Sequence, residues 1–205
     1  MEFRDSRTKE NLMRAFAGES QARNRYTFAA SAAKSAGLHW VERVFRFTAD
    51  QEKEHAELFL KHLAQCEGEN IHIDATYPVE NTAWLPARLL RAAQHGEYEE
   101  ARNVYPSFAQ VAREEGFIAI ASTFDMVAAI EQTHGDRFGQ LAERMEQSKM
   151  FESANEVAWL CLNCGHVHIG RQAPQVCPVC KHAQGFFVRV EATEVLAPKN
   201  GSFTV

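Results

Sequence analysis

Residues 41–62 read VERVFRFTADQEKEHAELFLKH, and residues 120–141 read IASTFDMVAAIEQTHGDRFGQL. Steps of four and three through the first stretch pick out Val41, Phe45, Thr48, Glu52, His55, Phe59 and His62. The same steps through the second give Ile120, Phe124, Val127, Glu131, His134, Phe138 and Leu141. That spacing follows one face of a helix, the face that packs inward. Glu and His therefore stand where hydrophobic residues belong. A buried carboxylate must be protonated, paired or bound to metal. Residues three apart are neighbours on a helix, so each Glu-x-x-His presents two ligands side by side, and two such motifs facing each other can clamp two metal ions.

The two stretches belong to a longer repeat. At a shift of 79 residues, 22–59 aligns with 101–138 without a gap, with 12 identities in 38 positions. The identities include Tyr26/Tyr105, Gly37/Gly116, Glu52/Glu131 and His55/His134. Two alanine-rich helices would share alanines by chance, but not Gly, Glu and His at one offset. The repeat predicts two similar helical hairpins about a pseudo-two-fold axis. Residues 6–36, 38–66, 86–115 and 117–147 are rich in helix formers. Gly37 and Gly116 break them into hairpins. Residues 67–85, with Gly68, Asp74, Pro78 and Asn81, read as a long crossover connection. Two hairpins joined by one crossover give a ferritin-like four-helix bundle.

Helices one and three supply further carboxylates. Glu19 lies in a run of small residues, with Tyr26 two turns on; Glu97 and Glu100 lie three apart, with Tyr105 beyond. Di-iron carboxylate bundles, the class to which this pattern belongs, take one Glu from each of two helices and a Glu-x-x-His from each of the other two. Carboxylates and imidazoles suit iron or manganese. Tyr26 maps to Tyr105 at a shift of 79, but Glu19 maps to Glu97 at 78. The third helix thus holds one extra residue, which predicts a π-bulge within about 98–104. Glu100 maps to Gln21 and is an extra, asymmetric carboxylate. His39, His62, His72, His95, His166, His168 and His182 lack this context and are read as surface or packing residues.

After Met150 the chain changes character. Short β-prone pieces, Ala158–Leu160, Val167–Ile169 and Gly185–Val190, alternate with turns. Cys161, Cys164, Cys177 and Cys180 form two Cys-x-x-Cys knuckles separated by 12 residues. Such knuckles present four thiolates to one metal. The spacing is shared by a structural zinc ribbon and a redox-active Fe(Cys)4 site. Two disulfides would need an oxidising compartment, and the charged N-terminus lacks a secretory h-region; a cytoplasmic protein is expected. Cys66 is left as a free thiol near a helix end. No run of 18 apolar residues is present, so no membrane span is expected. The 22 basic residues against 27 acidic ones disfavour a nucleic-acid binder. The imbalance is confined to residues 1–156, with 18 basic and 25 acidic; residues 157–205 carry 4 and 2.

The chain resembles the rubrerythrin family. The stretches that carry the resemblance are Gly18-Glu19-Ser20-Gln21-Ala22, Glu52-Lys53-Glu54-His55, Gly96-Glu97-Tyr98-Glu99-Glu100, Glu131-Gln132-Thr133-His134 and the four cysteines. It implies a mainly α chain: a di-iron bundle over 1–148 and a rubredoxin-like β domain over 156–195. It implies two Fe held by Glu19, Glu52, His55, Glu97, Glu100, Glu131 and His134, with Glu52 and Glu131 bridging. One Fe held by the four cysteines is implied too, with Zn sharing the spacing. In the family one iron is held by the extra glutamate, here Glu100, when oxidised and moves to a histidine, here His55, when reduced. Tyr26 and Tyr105 match tyrosines just outside the ligands. His166 departs from the family, since rubredoxins commonly carry Tyr after Cys-Gly. The implied activity is peroxidase: reduction of hydrogen peroxide to water in oxidative-stress defence. Electrons would come from a donor protein, rubredoxin or an NAD(P)H-dependent reductase, through the Fe(Cys)4 centre. A homodimer or larger oligomer is implied as well, in which one chain's cysteine domain could serve the other's di-iron site. A ferroxidase or iron-handling protein and a non-enzymatic zinc-ribbon module are the alternative classes.

Overall fold

A computed structural model describes residues 2–81, 83 and 85–191. Five α-helices, one π-turn and a three-stranded sheet follow in order: α1 (Arg7–Ser35), α2 (His39–His62), α3 (Pro86–Glu99), the π-turn (Glu100–Val104), α4 (Tyr105–Glu114), α5 (Ile118–Glu146), β1 (Glu152–Cys161), β2 (Val167–Gln172) and β3 (Phe187–Arg189). The α1–α2 turn and the α4–α5 turn each hinge on a glycine in the left-handed region, Gly37 at φ 72° and Gly116 at φ 88°. No side chain with a Cβ adopts that conformation at so little cost. The expected third helix, 86–115, is α3, the π-turn and α4 in sequence, so the bulge lies where the one-residue register mismatch placed it. The second helix stops at His62 rather than 66, because Ala64–Cys66 tighten into a 3-10 turn that buries Cys66.

Every member of the two quoted stripes is buried except His62, which is half-buried and meets the Thr123 hydroxyl at 3.0 Å. Two apolar clusters flank the Glu/His layer. On one side Tyr26, Phe45 and Phe138 pack ring against ring at centroid distances of 5.0–6.0 Å. On the other, Tyr105, Phe124 and Phe59 do the same at 5.2–6.0 Å. These trios exchange under the 79-residue shift, so the sequence repeat is a structural two-fold. Such rings dominate core energetics and exclude water from the polar layer between them.

The crossover runs along α1. Arg14 holds it at Asp74, with Nη2 donating to Oδ1 at 2.7 Å and Nε to the backbone oxygen at 3.1 Å. Arg25 pairs with Glu80 at the other end. The sheet has the order β2-β1-β3, all antiparallel. β1 begins at Glu152, earlier than the expected start near Ala158, because Glu152 pairs with Gln172 across a bulge before Val157. The expected small domain reaches 195; residues 192–195 lie outside the described residues, as does Met1. Trp159, Cys161, Cys177 and Phe187 form its core. This domain seats on the α1–α2 turn. Phe186 stacks on His39 with centroids 3.7 Å apart, Arg43 donates to the Leu162 carbonyl at 3.0 Å, and Val188 joins the helical core.

Candidate metal centres

The carboxylate layer gathers residues from α1, α2, α3 and α5. Glu19, Glu52, His55 and Glu131 form one group of possible ligands, and Glu52, Glu97, Glu131 and His134 a second; within each group the ligand atoms lie within 4.8 Å of one another. Glu52 and Glu131 belong to both. Their two oxygens divide between the groups. Around His55 Nδ1 stand Glu131 Oε1 at 2.9 Å and Glu52 Oε2 at 3.1 Å. Around His134 Nδ1 stand Glu131 Oε2 at 2.7 Å and Glu52 Oε1 at 3.0 Å. Glu19 Oε2 completes the first group at 3.7 Å from His55, and Glu97 Oε2 the second at 3.6 Å from His134. Two positions spanned by two carboxylates, each with one further Glu and one His, form a dinuclear arrangement.

The electrostatics call for positive charge, whether protons or metal ions. Glu19, Glu52, Glu97, Glu131 and His134 are at most 1% exposed. Taking each carboxylate out of water costs several kcal/mol unless compensated. Glu19 Oε2, Glu52 Oε1, Glu97 Oε2, both Glu131 oxygens and both His134 nitrogens make no hydrogen bond. Burial and the charge of Glu131 push Glu19 well up, and burial with the charge of Glu52 pushes Glu97 up to about 8. Burial also acts on Glu52 and Glu131, but the neighbouring imidazoles prevail and hold both below the usual carboxylate range. Both histidines are driven upward against burial by the surrounding carboxylates. Without metal the layer must retain protons; two divalent ions would replace them.

Tyrosines tie the terminal carboxylates down. Tyr26, on α1, donates to Glu97 Oε1, and Tyr105, at the start of α4, donates to Glu19 Oε1. The pairs are reciprocal under the two-fold. Burial and adjacent carboxylates raise both phenols well above their ordinary value, so they stay protonated donors. The π-turn makes this reciprocity possible: it absorbs the extra residue, so that Glu97 and Tyr105 both point inward.

Glu100 lies apart from both groups. It opens the π-turn, half-buried, on the wall of a cavity of 340 Å³ beneath the crossover. Burial and the charge of Glu19 raise its carboxyl. His55, not Glu100, stands in the Glu19 group. Two further residues meet at this cavity, of which Tyr77 escaped the sequence reading and Gly18 stood there only as part of the small-residue run around Glu19. Gly18 faces Glu100, and Tyr77 of the crossover leans over Gly18. Tyr77 has no periodic neighbours to give it away; only the following Pro78, which keeps residue 77 extended, hints at a fixed conformation.

In the small domain all four sulfurs lie within 4.8 Å of one another, with Cys161–Cys180 and Cys164–Cys177 at 3.7 Å. No disulfide is formed. A tetrahedron with metal–sulfur bonds of about 2.3 Å has edges of about 3.8 Å, so the set fits one tetrahedral ion. The backbone of His182 at Cys180 helps hold that thiol down to about 5.

Comparisons with known proteins agree with this geometry. The Rubrerythrin family model matches residues 10–142, and the model of the rubrerythrin rubredoxin-like domain matches 159–188. A rubrerythrin of Clostridium perfringens is 45% identical over 90% of this chain and 95% of that protein. One of Porphyromonas gingivalis is 45% identical over 90% of both. A mixed-valence structure of nigerythrin superposes at a TM-score of 0.60 and 28% identity, covering 90% of each chain. A Desulfovibrio desulfuricans bacterioferritin, at TM-score 0.56 and 16% identity over 70% of this chain and 86% of that one, shares the fold. With both of its domains matched in order, the chain belongs to the rubrerythrin family.

Proposed function

We propose that this protein reduces hydrogen peroxide to water at a di-iron site fed by an Fe(Cys)4 centre. The carrying observation is the pair of carboxylates, Glu52 and Glu131, each shared between the two ligand groups. Glu52 and Glu131 would bridge the ions, Glu19 with His55 would hold one, and Glu97 with His134 the other. When bound, two ferrous ions supply one electron each, so that H2O2 with two protons and two electrons yields two molecules of water. The chain's own residues do the rest. Tyr26 and Tyr105 keep Glu97 and Glu19 oriented through protonated phenols. The flanking aromatic trios exclude water. Glu100, on the cavity wall, meets the substrate side, where its carboxyl can exchange a proton with water. Glu100 and His55 would offer the ion on the Glu19 side a charged and a neutral ligand, the one suited to ferric and the other to ferrous iron.

Cys161, Cys164, Cys177 and Cys180 would hold the single iron that passes electrons one at a time from a rubredoxin-type donor. The test is anaerobic metal analysis joined to peroxide oxidation followed by visible absorbance. Expected are three irons per chain, a red colour from Fe(Cys)4 and stoichiometric oxidation of the ferrous site by hydrogen peroxide. A colourless protein with zinc on the cysteines would remove the electron feed. A ferrous site inert to peroxide would remove the peroxidase.

A further inference from the structure

Of the seven residues expected to hold the two irons, Glu100 is the one that lines the cavity beneath the crossover; the other six form the two ligand groups. The other six are buried, His55 being the most exposed of them at 8%. A molecule in this cavity therefore meets Glu100, and Tyr105 with its bond to Glu19, before any other member of the layer. The cavity is wide, but the space at Glu100 is not. Gly18 and the Tyr77 ring both adjoin Glu100 on the wall of this cavity. A Cβ built on Gly18 would stand 3.8 Å from Glu100 Oε1 and 3.9 Å from Tyr77 Cε1. Both are ordinary van der Waals contacts, so a methyl group here would reach Glu100 and Tyr77 at once and narrow the cavity between them.

The crossover that carries Tyr77 is fixed to α1 by three contacts at two of that helix's residues. Asp74 pairs with Arg14, Glu80 pairs with Arg25, and the Tyr77 hydroxyl donates to the Arg14 carbonyl at 3.3 Å. The Arg25–Glu80 pair is largely buried, with side chains 12% and 9% exposed. The anchor points on α1, residues 14 and 25, are about 16 Å apart at 1.5 Å per residue, and Gly18 lies between them. The ring is thus held over the gap by its own segment.

We propose that Gly18 and Tyr77 form the aperture that sets substrate size at Glu100, admitting hydrogen peroxide end-on and rejecting hydroperoxides that carry a bulky alkyl group. This rests on the peroxidase reading for its substrate class. Reduction of an organic hydroperoxide would take the same two electrons and two protons and give an alcohol and water, so chemistry alone does not discriminate. Gly18 has a cost, since Ala is the better helix former at a helix interior. The missing methyl is the clearance.

The two residues give opposite tests in the full-length protein. Tyr77→Ala widens the aperture and Gly18→Ala fills it. Iron-loaded, reduced protein is mixed with hydrogen peroxide or cumene hydroperoxide, and oxidation is followed by absorbance. Separately, cobalt(II)-loaded protein is mixed with pyridine-2,6-dicarboxylate, and loss of cobalt absorbance is timed. In Tyr77→Ala the cumene-to-hydrogen-peroxide rate ratio should rise about tenfold, the scale of a small steric change in a pocket, and cobalt should leave faster. Tyr77→Phe keeps the ring and should match wild type. In Gly18→Ala cobalt loss and peroxide oxidation should both slow, with a melting temperature no lower than wild type. Tyr77→Ala behaving as wild type in both readouts overturns the proposal. Should that variant not hold metal, Gly18→Ala decides, and unchanged cobalt loss and oxidation there overturn it. A wild-type ferrous site inert to hydrogen peroxide defeats the peroxidase reading instead, and the cobalt measurement still decides the aperture.

Discussion

Single residues divide into those that hold charge and those that tune it. Glu97 is raised from its ordinary 4.5 to about 8 in the metal-free layer. A group raised on folding contributes stability below its unfolded value and loses it as pH climbs through the folded one. The metal-free protein should therefore weaken between pH 4.5 and 8 as Glu97 is forced to ionise. The metal-bound protein is compensated by the ions, and binding releases protons. Melting temperatures of both forms across that range should show a gap that widens with pH; a constant gap would contradict the protonated layer. Glu100 stands outside both ligand groups, so Glu100→Ala should leave iron content largely intact while slowing peroxide turnover. Iron analysis with stopped-flow oxidation checks it, and turnover at the wild-type rate would sink the exchange of Glu100 with His55. The identities of these residues were legible from the stripes and the repeat. Tyr77 was not, because nothing local ties a crossover residue to a helix about 60 positions away.

Among the elements, the π-turn Glu100–Val104 sets the register of the third helix. Each residue of an α-helix turns the chain by about 100°. Deleting Arg102 should convert the turn to regular helix and rotate Glu97 away from Tyr26, or Tyr105 away from Glu19. Metal analysis should then find fewer than two ions in the bundle, with the hairpins themselves retained by circular dichroism. Full occupancy would show that the bulge is incidental. A one-residue mismatch between shifts of 78 and 79 was enough to locate this element. The end of α2 and the start of β1 were misplaced by several residues. Both are decided by distant contacts, the burial of Cys66 and the pairing of Glu152 with Gln172.

Across the molecule, the small domain seats on the α1–α2 turn. A Cβ on Gly185 would lie 1.7 Å from the Gly37 carbonyl oxygen. Gly185→Ala must therefore push the domains apart, and hydrogen exchange should rise around His39 and Phe186 while the bundle core stays protected. The docked contact at His39 lies 13 residues before Glu52, about 20 Å along α2. Cys177→Ser should abolish reduction of the di-iron site by a protein donor yet leave reduction by dithionite intact. Unchanged donor-driven turnover would show that electrons bypass the cysteines. Among the described residues no helix is long and apolar enough to cross a membrane.

Local pattern was enough to settle the two hairpins, their glycine turns, the inward face of each helix and the bulge, and to bring forward the carboxylates, imidazoles and cysteines that gather in the three clusters, though not the place of Glu100 outside them. All of these follow from periodicity, spacing and internal repetition, which are properties of neighbouring residues. Packing was needed to divide the oxygens of Glu52 and Glu131 between two positions. Packing also set Glu100 on a cavity, laid the crossover over Gly18 and docked the cysteine domain at Gly37. Each of these is a contact between segments far apart in the chain, and its geometry is fixed by how complete elements meet rather than by any short stretch of residues.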